Sequence, residues 1–164
     1  MENSLRLTYI SNLTNEGLNQ LWQSCFAGHA NISHMNAHVP YPVTQQWQLN
    51  SFLINQNGYK AWLIKRNTEQ DIIGFAIRGN FIPGLPNNVG FNIGLNYTRY
   101  GYATETLQAL IEHVRGIPLA ETFGHCFENN LASIRTMENC GFINMGRTGR
   151  HFNGNYELKF RKQL

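Results

Sequence analysis

At 164 residues, with 42% hydrophobic and 14% charged residues, the chain has the size and make-up of one globular domain, which excludes a disordered or fibrous protein. Its net charge of +3 is scattered except for Arg147, Arg150, Lys159, Arg161 and Lys162, too mild for direct nucleic-acid binding and suited to a small anionic ligand. Three cysteines, Cys25, Cys126 and Cys140, leave an odd thiol with no metal-type spacing; they read as buried reduced thiols, which favours the cytoplasm.

The opening MENSLRLTYI has no basic start followed by an apolar stretch, and no apolar run reaches membrane-spanning length, so neither a signal peptide nor a membrane partner is expected. Leu5 to Ile10 alternates apolar and polar residues, as a strand does. Thr14 is placed to cap a helix with Leu18, Leu21, Trp22, Cys25 and Phe26 on one face. A polar connector holding His29, His34 and His38 follows, ending at Pro40 and Pro42, which forbid regular helix. Those histidines do not share one helical face and have no carboxylate or cysteine beside them. They read as an exposed polar loop, and no metal is predicted. Thr44 restarts a helix with Trp47, Leu49, Phe52 and Leu53, closed by Gly58.

Ala61 to Ile64 and Ile72 to Ile77 then read as a hairpin of buried strands. NFIPGLPNN is a loop by its prolines and glycine, and VGFNIGL is a further strand. A helix from Ala103 carries Leu107, Leu110, Ile111 and Val114 and stops at Gly116 and Pro118. Thr122 to Phe127 is a strand. Asn130 caps a helix with Leu131, Ile134 and Met137, Gly141 ends it, and Phe142 returns to the core. Two strands around FNGN (152–155) close the chain. Trp22, Trp47 and Trp62 are expected in the core, and the basic tail on a solvated edge strand. This order predicts an α/β (α+β) domain over residues 1–164 with a single sheet.

YTRYGYATETL, residues 97–107, places a glycine between two tyrosines at a strand-to-helix junction. The unpaired N–H groups of a helix start, with the helix dipole, make an anion site suited to phosphate. Gly101 leaves the backbone open to a pyrophosphate, and Arg99 adds a charge. Alone, such a turn reads as packing. Thirty residues on, however, ENNLASIRTMENCGF joins a capping Asn130 to Ser133, Glu138, Gly141 and Phe142.

Together the two stretches resemble the GNAT superfamily of acetyl-CoA-dependent N-acetyltransferases, and within it the RimJ/RimL-like branch that acetylates ribosomal-protein N-termini. The family's first motif, Gln/Arg-x-x-Gly-x-Gly/Ala, reads here as Thr98, Arg99, Tyr100, Gly101, Tyr102 and Ala103, with Thr98 at the Gln/Arg position, extended by Thr104 and Glu105. Its second, Asn-x-x-Ser followed by Glu-x-x-Gly-Phe, is met by Asn130, Ser133, Glu138, Gly141 and Phe142. The resemblance implies a mixed sheet of about seven strands and about four helices, splayed after the strand holding Phe91 to Leu95. Acetyl-CoA would lie in that gap, with the backbone of Asn92 and Ile93 on its acetyl and pantetheine groups. The amides of Arg99, Tyr100, Gly101, Tyr102, Ala103 and Thr104 would take the pyrophosphate, and Asn130 the pantetheine arm. Ser133 would donate to the leaving thiolate.

Two positions depart from the family. The carboxylate that many relatives carry on the splayed strand falls at Asn88, which cannot take a proton. The acid tyrosine falls at Met137, leaving Ser133 as the family-like acid. Glu128 or His125, through water, stays open as the proton acceptor. The expected reaction is direct attack of a primary amine on acetyl-CoA. An α-amine near ~8 has a larger neutral fraction at pH 7 than a lysine near ~10.4, which favours a protein N-terminus as acceptor. The alternatives are a small-molecule amine and a non-catalytic acetyl-CoA-binding regulatory module. The protein is expected as a monomer or homodimer. Acceptor choice is expected to reside in residues 27–43, residues 78–88 and the last hairpin.

Overall fold

Local sequence signals start most of the elements. Thr14 Oγ1 accepts from the Gly17 amide (3.1 Å) and opens helix α1 (Asn15–Cys25) after strand β1 (Leu7–Ile10). Helix α2 (Gln46–Ile54) begins just past Thr44, because Gln48 Oε1 accepts from the Thr44 and Gln45 amides at 2.8 and 3.0 Å. Leu49 and Leu53 share its buried face. Trp47 stands two residues before Leu49, on the far side of the helix, and is 66% exposed, which corrects the expectation that it is a core residue. Strands β2 (Tyr59–Arg66), β3 (Ile72–Gly79) and β4 (Asn88–Ile93) precede a short 3₁₀ turn, helix α3 (Tyr102–Arg115), strand β5 (Glu121–Phe127) and helix α4 (Leu131–Asn139). Strands β6 (Ile143–Phe152) and β7 (Asn155–Gln163) finish the chain. The computed structural model describes residues 1–27, 43–55, 57–82 and 84–164; the predicted connector with His29, His34 and His38 lies outside them.

Seven strands form one sheet in the order β1-β2-β3-β4-β5-β7-β6. Neighbours run antiparallel except β4 and β5, which are parallel. Strand β7 sits between β5 and β6. Its Lys159, Arg161 and Lys162 therefore belong to an interior strand, and the solvated edge is β6, exposed at every position. The reason is the tight turn at Asn153 and Gly154, which folds β7 back along β6 and inward onto β5.

Side-chain alternation divides the core between the two sheet faces. Trp62, Ile64, Val89 and Phe160 pack with Leu107 and Leu110 of α3 and Met137 of α4. Ala61, Leu63 and Phe75 pack with Leu18 and Leu21 of α1 and Leu49 and Leu53 of α2. Strand β3 is buried on both faces, which explains its unbroken apolar run. Cys25, Cys126 and Cys140 are all buried free thiols. Among the described residues no helix is long and apolar enough to cross a membrane.

Candidate active site

The site grows out of the parallel junction. Strand β4 pairs with β3 from Gly79↔Asn88 to Gly74↔Ile93, but with β5 only at Asn88↔Phe123. Beyond that pair β4 and β5 part, and a cleft of about 140 Å³ opens between them. Backbone polarity alternates along β4. The Asn92 carbonyl is turned to β3, where a Cβ on Gly74 would stand 2.0 Å from it. Asn87, one residue before the strand, instead sends its carbonyl to the Phe123 amide (3.0 Å). In that phase the backbone groups of Phe91 and Ile93 face the splay. Of the expected pair, Ile93 thus offers its backbone. Asn92 offers its side chain, whose buried Oδ1 has no partner among the described residues.

Asn92, Ile93, Ala103, Asn130 and Ser133 all line the cleft, and so does Thr98. Arg99, Tyr100, Gly101, Tyr102 and Thr104 do not line it. They form or border the turn between Thr98 and Ala103, at the cleft's edge. Arg99 (φ 71°) and Gly101 (φ 82°) are both left-handed there, and Gly101 is the N-cap of α3 with no side chain capping it. The amides from Arg99 to Thr104 donate to no described residue. An added Cβ at Gly101 would meet only Arg6 Nη2, at an ordinary 3.6 Å. Within the protein the glycine is therefore favoured by its φ rather than by crowding, a reason the spacing alone did not supply.

Arg6 is the residue that sequence reasoning missed. Its Nε donates to Glu105 Oε2 (2.8 Å) and its Nη1 to the Tyr100 carbonyl (3.0 Å), while Ser4 Oγ donates to Glu105 Oε1. The guanidinium carbon also lies 4.9 Å from the Tyr102 ring centre. This clamp ties the segment leading into β1 to the turn and occupies the Tyr100 carbonyl. Glu105 belongs to the quoted motif, but no sequence signal couples it to a residue 99 positions earlier.

On the opposite wall, Asn130 Oδ1 accepts from the Ser133 amide (3.2 Å) and starts α4, which brings Ser133 to the cleft. Thr136 is spent on the Ala132 carbonyl (2.9 Å), and Met137 closes the floor where the family's tyrosine was expected. The titratable side chains among the described lining residues are His125 and Cys126, and no carboxylate is among them. Burial pushes the Cys126 thiol up to about 12, helped by the Glu157 carboxylate. A thiol so held stays protonated and is a poor nucleophile, which argues against an acyl-cysteine. Glu128, one of the two open proton acceptors, is engaged by Arg147 through two bonds of 3.0 and 3.1 Å and does not line the cleft. Asn88 is also elsewhere. It lines a separate cavity with Arg78 and Asn80, four residues before Asn92, roughly 13 Å along the strand.

Unpartnered amides at a helix start fit phosphates, and the orphaned Asn92 oxygen and the open β4 edge fit an amide-bearing arm. The arrangement suits a ligand that carries both groups. Residues 9–143 match the acetyltransferase (GNAT) domain, and the chain belongs to that family. It is an acetyl-CoA-dependent N-acetyltransferase, with acetyl-CoA as the donor. Similar solved structures include a GNAT-family acetyltransferase from Bacillus anthracis, at 17% identity and TM-score 0.78, covering 99% of this chain and 97% of that one. The ribosomal-protein α-N-acetyltransferase RimL in complex with coenzyme A is 18% identical, with TM-score 0.75 and coverages of 99% and 97%. The microcin self-immunity acetyltransferase MccE, in complex with acetyl-CoA and AMP, is 20% identical, with TM-score 0.76 and coverages of 98% and 94%. No curated protein sequence matches the chain.

Proposed function

We propose that residues 1–164 act as one acetyltransferase domain that moves the acetyl group directly onto a protein N-terminal α-amine. The observation that carries this choice is the cleft lining, which has an imidazole and a protonated thiol but no carboxylate among the described residues. A tuned base contributes roughly 10²–10⁴-fold to such reactions. An α-amine near ~8 is about one-tenth neutral at pH 7, whereas a lysine near ~10.4 is neutral in fewer than about one molecule in a thousand. The α-amine depends far less on a base, and the lining offers the His125 imidazole in place of a carboxylate. The likeness to RimL, whose own name states α-N-acetylation of a ribosomal protein, agrees with this reading.

When bound, acetyl-CoA supplies a thioester carbonyl open to attack. The amides from Arg99 to Thr104 would hold its pyrophosphate, and the backbone of Ile93, the Asn92 side chain and Asn130 would hold the arm. A neutral amine would add to that carbonyl, the new N–C bond replacing the C–S bond once the thiolate leaves. His125 on β5 takes the amine proton, directly or through a water, and the Ser133 hydroxyl donates to the departing thiolate. Three reduced buried thiols agree with work in the cytoplasm. The test is thiol release in an acceptor screen at pH 7. N-terminal peptides should exceed N-blocked lysine peptides by roughly 10²-fold, following the neutral fractions. A preference for small amines over peptides would overturn the acceptor assignment.

A further inference from the structure

The reaction above leaves the two tyrosines of the turn unused, and the structure arranges them with care. Tyr100 and Tyr102 stack with ring centroids 5.8 Å apart and planes 28° apart. Tyr102 also carries the Arg6 guanidinium at 4.9 Å. Arg6 in turn holds the Tyr100 carbonyl, so the side chain of Tyr100 projects from a fixed piece of backbone. Yet Tyr100 is 62% exposed. A ring braced at its base and along one face, and otherwise left to water, is a surface for something flat.

We infer that Tyr100 is the stacking platform for the adenine ring of acetyl-CoA. This rests on the donor-site reading. The unpartnered amides from Arg99 to Thr104 take the pyrophosphate, and Thr98 and Ala103 lead from there into the cleft that receives the pantetheine arm. The adenosine is joined to the other end of the pyrophosphate, so it departs away from the cleft, and Tyr100 is an exposed ring of the turn that does not line the cleft. Tyr100 is next to Gly101, within reach of a base attached to a phosphate on those same amides. Stacking on an aromatic ring requires only a π-face, and removing such a ring costs roughly ten- to a hundredfold in affinity.

Calorimetric titration with coenzyme A and with 4′-phosphopantetheine, which has the same thiol arm but no adenosine, separates this from mere bracing of the turn. Tyr100→Ala should weaken coenzyme A by roughly tenfold or more and leave 4′-phosphopantetheine unchanged, while Tyr100→Phe keeps both affinities. In proton NMR, the adenine H2 and H8 signals should move upfield on binding to the unmodified protein and lose that shift with Tyr100→Ala. An equal loss for both ligands would mean that Tyr100 only supports the loop and would overturn the assignment. So would an unchanged affinity for coenzyme A. If the unmodified protein binds 4′-phosphopantetheine but gains nothing from the adenosine, the donor site stands and the platform falls. If it binds neither ligand, the donor site itself is refuted. The melting temperature without ligand checks folding and should be unaffected, since Tyr100 is mostly exposed.

Discussion

Along its β3 edge, β4 is paired over its whole length, whereas along its β5 edge it is paired once, at Asn88, and then parts. The closed edge is intolerant of change. Gly74 lies so close to the Asn92 carbonyl that no side chain fits between the strands. The open edge is arranged to stay open, with α4 placing Asn130, Ser133 and Met137 over the gap. Backbone groups that a sheet would normally satisfy internally are there left unpaired by β5. The site is made less by adding reactive side chains than by withholding hydrogen bonds at one edge of a strand whose other edge is fixed.

Three substitutions test the two edges against each other. The largest effect belongs to the closed edge. In Gly74→Ala the new Cβ would stand 2.0 Å from a backbone oxygen that cannot swing aside. A loss of about 3 kcal/mol in urea unfolding is expected. A variant of normal stability would show that this edge is not rigid. Next comes the turn at the open edge. Gly101→Val forces a β-branched residue to φ 82°. It should cost about 1–2 kcal/mol of stability and, by turning the amides away, a larger fraction of coenzyme A affinity. If affinity is unchanged, the turn is structural only. Ser133→Ala should be the mildest for the fold. It should lower kcat by about 10²-fold with coenzyme A affinity preserved, and full activity would remove Ser133 from the mechanism.

The two edges also differ in how far they could be read from sequence. Thr14, Gly101, Asn130 and Gly141 act within one helical turn of themselves, so their spacing announced the helix ends and the two motif stretches. Of the residues that line the cleft, Ala103, Asn130 and Ser133 stand in those motifs, while Asn92 and Ile93 were expected from the family's splayed strand. Contacts between distant segments gave no such signal. The Arg6–Glu105 clamp joins residues 99 apart, and the insertion of β7 between β5 and β6 is a choice of strand order that alternation does not encode. Trp47 misled because a tryptophan in an apolar run is usually buried, and only its phase relative to Leu49 and Leu53 puts it outside. Nor does the sequence show that Arg147 holds Glu128 while His125 lines the cleft.

The smallest effect is sought behind the open edge, where β5 is fully paired with β7. Glu157 on β7 is wholly buried, accepts from Thr148 Oγ1 (2.8 Å) and lies 3.4 Å from Arg150 Nη1. Burial raises its pKa, and the lowering by Thr148 and then Arg150 does not cancel that. A carboxyl raised on folding binds its proton more tightly in the folded state. Its contribution to stability is therefore complete below the ordinary glutamate range near ~4.3 and is lost as pH rises through the folded value. Glu157→Gln should remove that part of the slope. The two proteins should differ most in how their urea midpoints change from mildly acid to neutral pH, with the glutamine variant losing less. Glu157 does not line the cleft, so coenzyme A affinity should be the same in both. Parallel midpoint curves would mean that Arg150 and Thr148 fully offset the burial. A fall in affinity would mean that the closed β5–β7 edge helps to set the width of the open one.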